Sequence, residues 1–108
     1  MKTMDMMKMM HKAREMQEQM QKVQEQLKST TVEGSAGGGA VTVTCTADGN
    51  VQALKIKPET LTGGDATLVE DLILTAIRQA QETGRQVMAR EMGKVTKGLN
   101  IPGLNLGL

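Results

Sequence analysis

A chain of 108 residues with no Phe, Tyr or Trp lacks the large buried areas that aromatic side chains bring to a core. Its burial must come from Val, Leu, Ile, Ala and Met in one small domain that gains by dimerising. The same lack removes the base-stacking platform of single-strand binders and RNA-reading sheets, so a nucleic-acid partner would be duplex DNA.

The net charge of +1 hides an uneven distribution. Residues 1–28 hold six Lys/Arg and four Asp/Glu, residues 29–77 two and six, and residues 78–108 five and two. Basic ends around an acidic middle point toward nucleic acid or a charged surface. Lys2, Asp5, Lys8, His11 and Lys12 interrupt the N-terminus too often for a signal peptide or membrane span. A single cysteine, Cys45, cannot form an internal disulfide. Both features lead to the expectation of a cytoplasmic protein with no membrane partner.

In chain order, Met6, Met9, Ala13, Met16, Met20, Val23 and Leu27 recur at alternating steps of three and four. With polar residues at nearly every other position, this is the a/d seam of a helix that packs along one narrow stripe. From Met6 to Leu27 such a rod would be roughly 33 Å long. Residues 1–28 are thus predicted to form a projecting arm. Methionine is flexible and specifies one partner geometry poorly, so the seam suits an adjustable arm better than a fixed coiled-coil zipper.

Residues Ser29 to Gly34 read as a plausible short strand, and Gly34 to Gly39 as a glycine-rich connector. From Ala40 to Ala47, Val41, Val43, Cys45 and Ala47 alternate with threonines, which is a strand with one apolar face. Asp48, Gly49 and Asn50 form a tight turn, and Val51 to Lys57 return as the next strand, ended by Pro58. The sheet is thus assigned to 29–64, with Thr60 to Gly64 as loop.

A second helix over 65–97 starts near Asp65 or Thr67, where Thr67 and Glu70 fit a capping box. Its apolar face runs through Leu68, Leu72, Ile73, Ala76, Ile77, Ala80, Val87, Met88 and Val95. Gly84 marks a bend or a close contact, and Gly98 and Pro102 end the helix. Residues 98–108 are expected to be a mobile tail. The whole is one α+β domain, an α-β-β-β-α protomer with a three-stranded antiparallel meander and helices covering its apolar face.

Catalysis finds little support in the residues. The one histidine, His11, sits at a solvent-facing heptad position with no Ser, Cys or carboxylate grouped around it in a recognisable pattern. The glycine segment lacks the Lys-Ser/Thr of a phosphate loop and leads into a strand. No small-molecule substrate or cofactor is expected. Met4, Met6, Met7, Met9, Met10 and His11 have the softness of a Cu(I) site, but a seam with an exposed tip is the simpler reading. Cys45 reads as core. The cations Lys8, Lys12, Arg14 and Lys22 on the first helix, and Arg78, Arg85, Arg90, Lys94 and Lys97 on the second, avoid the apolar positions and could reach phosphates. Glu15, Glu18, Glu25, Glu82 and Glu91 are interspersed and would neutralise part of this charge.

The Met/Gln-rich helix MMHKAREMQEQMQKVQEQL (Met9 to Leu27), the segment VEGSAGGGAVTVTCTADGNVQALKIKPETL (Val32 to Leu61) and the helix LVEDLILTAIRQA, in that order, resemble the YbaB/EbfC family of bacterial nucleoid-associated proteins. The most specific piece is the glycine connector with its hairpin and the strand exit Ile56 to Glu59. The resemblance implies a cytoplasmic, nucleoid-located homodimer whose sheet and second helix form the body. It also implies duplex DNA binding of little sequence specificity by helical arms, with an influence on nucleoid organisation and gene expression. Lys8, Lys12, Arg14, Lys22, Arg85, Arg90, Lys94 and Lys97 match the family's basic helical regions by location. The competing expectation is a protein-interaction module or adaptor that uses the methionine-rich helix as its partner-binding arm.

Overall fold

The structure, a computed structural model, describes residues 3–98, so the expected tail over 99–108 lies outside the described residues. The elements in order are α1 (Thr3–Ser29), β1 (Thr31–Ala36), β2 (Val41–Thr46), β3 (Val51–Ile56), α2 (Pro58–Thr62) and α3 (Ala66–Gly98). The three strands form one antiparallel sheet in the order β1-β2-β3. The α-β-β-β-α plan read from the sequence is therefore the observed one, with a single helical turn, α2, added where a loop was expected. Pro58 explains the turn, because its fixed φ suits the first helical position and its missing N–H has no intrahelical role there.

The alternation in β2 does what its period requires. Val41, Val43 and Cys45 are fully buried, and α3 lies across β1 and β2 on that face. Ala36, Ala76 and Ala80 complete this core, with Val32, Ile56, Leu72, Ile73 and Ile77 packed around it. Burying each valine contributes about 1.5–3 kcal/mol.

The small residues reflect how near the helix comes to the strand. A Cβ at Gly34 would fall on the backbone of Ala76 and Ala80, 2.8 Å from Ala80 Cα. Gly34 therefore belongs to β1 and not to the connector expected over 34–39, which shrinks to a turn where Gly37, Gly38 and Gly39 take φ of +65°, +68° and +92°. The Ser35 N–H donates to Gln79 Oε1 at 2.6 Å, tying β1 to α3.

The β2–β3 turn is held by Thr46, whose hydroxyl bonds the Asp48 carboxylate and accepts the Asn50 N–H at 3.1 Å. A bulge at Thr44/Cys45 shifts the pairing so that Val51 opposes Cys45. At the start of α3 the Leu68 N–H bonds Asp65 Oδ1 at 3.2 Å. The cap is thus Asp65, and the Thr67–Glu70 box does not form because Thr67 already lies inside the helix.

Candidate functional site

The foot of α1 is fixed by several short-range bonds and one small cluster. The Gln26 carbonyl accepts from the Thr30 N–H at 2.9 Å, the Thr30 hydroxyl at 2.7 Å and the Ser29 hydroxyl at 3.1 Å, which ends the helix. The Ala47 N–H then donates to the Thr30 carbonyl at 2.8 Å, joining the arm to the end of β2. Val23, Leu27 and Ala47 are buried together, with Val87, Met88, Met92 and Val95 of α3 packed on them. Gly84 lets α3 pass, since a Cβ there would lie 2.8 Å from the Ala47 carbonyl oxygen.

The seam divides along its length. Val23 is 7% and Leu27 3% exposed, Met20 is half-buried, but Met16, Met9 and Met6 are 37%, 63% and 53% exposed. The heptad spacing predicted a single continuous stripe, and within the chain only its C-terminal end is covered.

All eight candidate cations are exposed. On α1, Lys8, Lys12 and Lys22 project within an arc of about 80°, roughly 110° around the helix from the seam, while Arg14 lies about 80° beyond the arc. On α3, Arg90, Lys94 and Lys97 share an arc of about 60°, roughly 110° from the row Ala80, Gly84, Met88 and Val95, and Arg85 lies about 120° beyond it. The fold thus presents two rows of three cations and leaves Arg14 and Arg85 apart. Arg85 pairs with Glu82 at 2.7 Å and Lys94 with Glu91 at 3.2 Å. The other six have no carboxylate within 4.0 Å among the described residues. Such exposed pairs are weak and yield readily to a phosphate.

His11 Nε2 lies 3.0 Å from Glu15 Oε1. Arg90 lines an open groove between α1, β1 and α3 together with Leu27, Thr30, Val32 and Val87. Among the described residues no three His, Cys, Asp or Glu side chains are grouped to hold a metal, and no helix is long and apolar enough to cross a membrane. Burial raises the Cys45 thiol pKa, and the nearby Asp48 carboxylate adds to the shift.

A feature that sequence reasoning missed lies on β3. Val51 and Leu54, each 46% exposed, share the sheet face of Cys45 and Val43, which they oppose. Leu68 and Leu74 of α3 and Leu61 of α2 are exposed as well. The β3 pattern of Val51, Leu54 and Ile56 carried this signal, but only the position of α3 over β1 and β2 reveals that the remaining strand is left open.

The profile of the YbaB/EbfC DNA-binding family matches residues 1–99. A nucleoid-associated protein of Alkaliphilus metalliredigens is 42% identical over 100 residues, covering 93% of this chain and 88% of its own. One from Acetivibrio thermocellus is 45% identical over 93 residues, covering 85% and 82%. One from Chloroflexus aurantiacus is 43% identical over 96 residues, covering 89% and 96%. In fold, the chain is similar to the crystal structure of an uncharacterized Helicobacter pylori protein, HP0035, at a TM-score of 0.59 and 18% identity over 82% of this chain and 95% of that one. Sequence and fold together show that this chain belongs to the YbaB/EbfC DNA-binding family, which is a family of nucleoid-associated proteins and not of enzymes.

Proposed function

We propose that two copies of the chain join and hold duplex DNA through phosphate contacts from exposed cations of α1 and the C-terminal half of α3. The observation that carries this reading is the pair of cation rows, Lys8, Lys12 and Lys22 on one helix and Arg90, Lys94 and Lys97 on the other, of which only Lys94 is paired. Arg14 and Arg85 lie off these rows and contribute less. Long cations on helix faces position a protein on the backbone without reading bases, so binding is sequence-tolerant and any preference comes from DNA shape. Association through the open apolar face at Val51 and Leu54, with Leu68 and Leu74, doubles the number of arms. The location that follows is the nucleoid, where bridging or bending would affect chromosome organisation and gene expression.

Anisotropy titration of a labelled duplex at several salt concentrations tests the proposal. Four to six neutralised phosphates per dimer give a slope of log K against log salt of about −4 to −5, and each lost contact removes about 0.9. The variant Lys8→Gln/Lys12→Gln/Lys22→Gln should bind more weakly with a shallower slope while remaining folded and of the same oligomeric state. A slope near zero in the parent protein, or no binding at low salt, refutes it. The exposed Met6, Met7, Met9 and Met10 favour a second reading, a protein-binding arm. On that reading the triple variant binds DNA like the parent, and a co-purifying protein is lost instead.

A further inference from the structure

The heptad seam accounts for Met6 and Met9 but not for Met7 and Met10, which lie off it and are 65% and 63% exposed. Neither belongs to a buried cluster of the fold. His11 stands one turn beyond Met7, and its side chain is 72% exposed. At about 100° per residue, Met10 projects roughly 60° to one side of Met7 and His11 roughly 40° to the other. Cβ atoms three and four residues apart on a helix are about 5–6 Å from each other, and helical side chains lean toward the N-terminus, so Met10 and His11 incline over Met7. Two thioethers on flexible stems and one imidazole can thus close on a single point.

The imidazole is already held for such a role. His11 Nε2 faces Glu15 Oε1 at 3.0 Å. In the neutral ring the nitrogen that faces a carboxylate carries the proton, which leaves a lone pair on Nδ1. A histidine that ligates a metal through one nitrogen commonly donates the N–H of the other to a carboxylate, which fixes the tautomer and makes the ring more basic. Arg14, exposed, lies three residues beyond His11 and four beyond Met10. Its charge repels a divalent ion twice as strongly as a monovalent one.

We propose that Met7, Met10 and His11 form a binding site for Cu(I), with Met7 Sδ, Met10 Sδ and His11 Nδ1 as its three donors and Glu15 as the positioning residue behind the imidazole. Thioether sulfur is soft and selects Cu(I) over hard cations, and imidazole suits copper as well. No thiolate or carboxylate ligand takes part, which is why grouped His, Cys, Asp and Glu side chains give no sign of the site among the described residues. It uses none of the cations in the two rows and does not depend on DNA binding.

Two measurements on the full-length protein test the site. NMR spectra of the methionine methyl groups are followed as Ag(I), a redox-stable stand-in for Cu(I), is added to the parent, whose Cys45 is buried, and to Cys45→Ala, which has no thiol. At one equivalent the Met7 and Met10 methyls and the His11 ring should shift together. Met9, 63% exposed but about 160° around the helix from Met7, should stay in place. Equal shifts at the three methyls, or none in either protein, overturn the proposal. Cu(I) affinity is then read without oxygen, by competition with a coloured Cu(I) chelator, in the Cys45→Ala background. Met7→Leu/Met10→Leu and His11→Gln should each weaken binding at least about tenfold, and Glu15→Gln about tenfold, the usual loss when the partner behind a metal-bound histidine is removed. Met9→Leu should bind like its background. Affinity unchanged in Met7→Leu/Met10→Leu, or lost as much in Met9→Leu, overturns the proposal. All these positions are exposed, so circular dichroism should show α1 intact in every variant.

Discussion

Replacing Gly93 and Gly84 with alanine makes the same chemical change twice on α3, and the two should move stability in opposite directions. In a helix interior alanine is favoured over glycine by about 0.8–1.0 kcal/mol. At Gly93 nothing lies within 4 Å of an added Cβ, so Gly93→Ala should gain that amount in full. At Gly84 the Cβ would stand 2.8 Å from the Ala47 carbonyl oxygen and 3.2 Å from its C and Cα atoms. The obstacle is backbone, held from the other side by the Ala47–Thr30 bond, so it cannot give way as a side chain would. Overpacking of this kind costs about 1–3 kcal/mol, which offsets the propensity gain and leaves Gly84→Ala between neutral and about 2 kcal/mol less stable. The gap between the variants is then about 1–3 kcal/mol, or some 4–8 °C in Tm for each kcal/mol. With no aromatic residue to report fluorescence, the assay is urea unfolding followed by circular dichroism at fixed protein concentration, since association would shift the midpoint. Equal stabilisation of both variants would refute the claim that α3 and the end of β2 meet rigidly at Gly84.

The cluster at the foot of α1 predicts that Leu27→Ala costs about 2–3 kcal/mol, at the low end for a buried leucine because the cluster is small. Hydrogen exchange should show the loss first in α1, with the β2 core still protected, and uniform loss across the sheet would contradict a separate seat for the arm. Cys45, fully buried, should be inert to thiol reagents until the protein is unfolded in urea. The fold holds the neutral thiol, so its stabilising share is intact below the unfolded value of about 8.5 and is lost as pH rises through the raised folded value. Stability should therefore fall above about pH 8.5 in the parent and fall less in Cys45→Ala, and parallel curves would count against this.

The helices and the hairpin were legible because their periods are local. The three-four spacing of the seam and the two-residue alternation from Val41 to Ala47 each name an element without reference to any other. Gly34 fitted both the first strand and the connector, and Ser35 and Ala36 were assigned to the connector alone, because what extends the strand lies across the fold, in the approach of Ala76 and Ala80 to Gly34 and in the Ser35–Gln79 bond. The Asp65 cap was one of two acceptable starts, and only the Leu68 N–H decides between them. For the cations, spacing along one helix shows which share a face. How much of the methionine seam is covered, and that β3 keeps an apolar face open, depend on where α3 begins and ends against the sheet, which no local pattern contains.

Attachment at one end makes α1 a lever. Lys8 stands about 33 Å from Thr30 along the helix, while the described contacts that hold the arm lie at Val23, Leu27 and Thr30. A rotation of about 10° at this fulcrum carries Lys8 some 6 Å, close to two base-pair rises of DNA at about 3.4 Å each. A small repacking around Leu27 is thus enough to move the tip of the arm by a distance on the scale of the duplex it would meet.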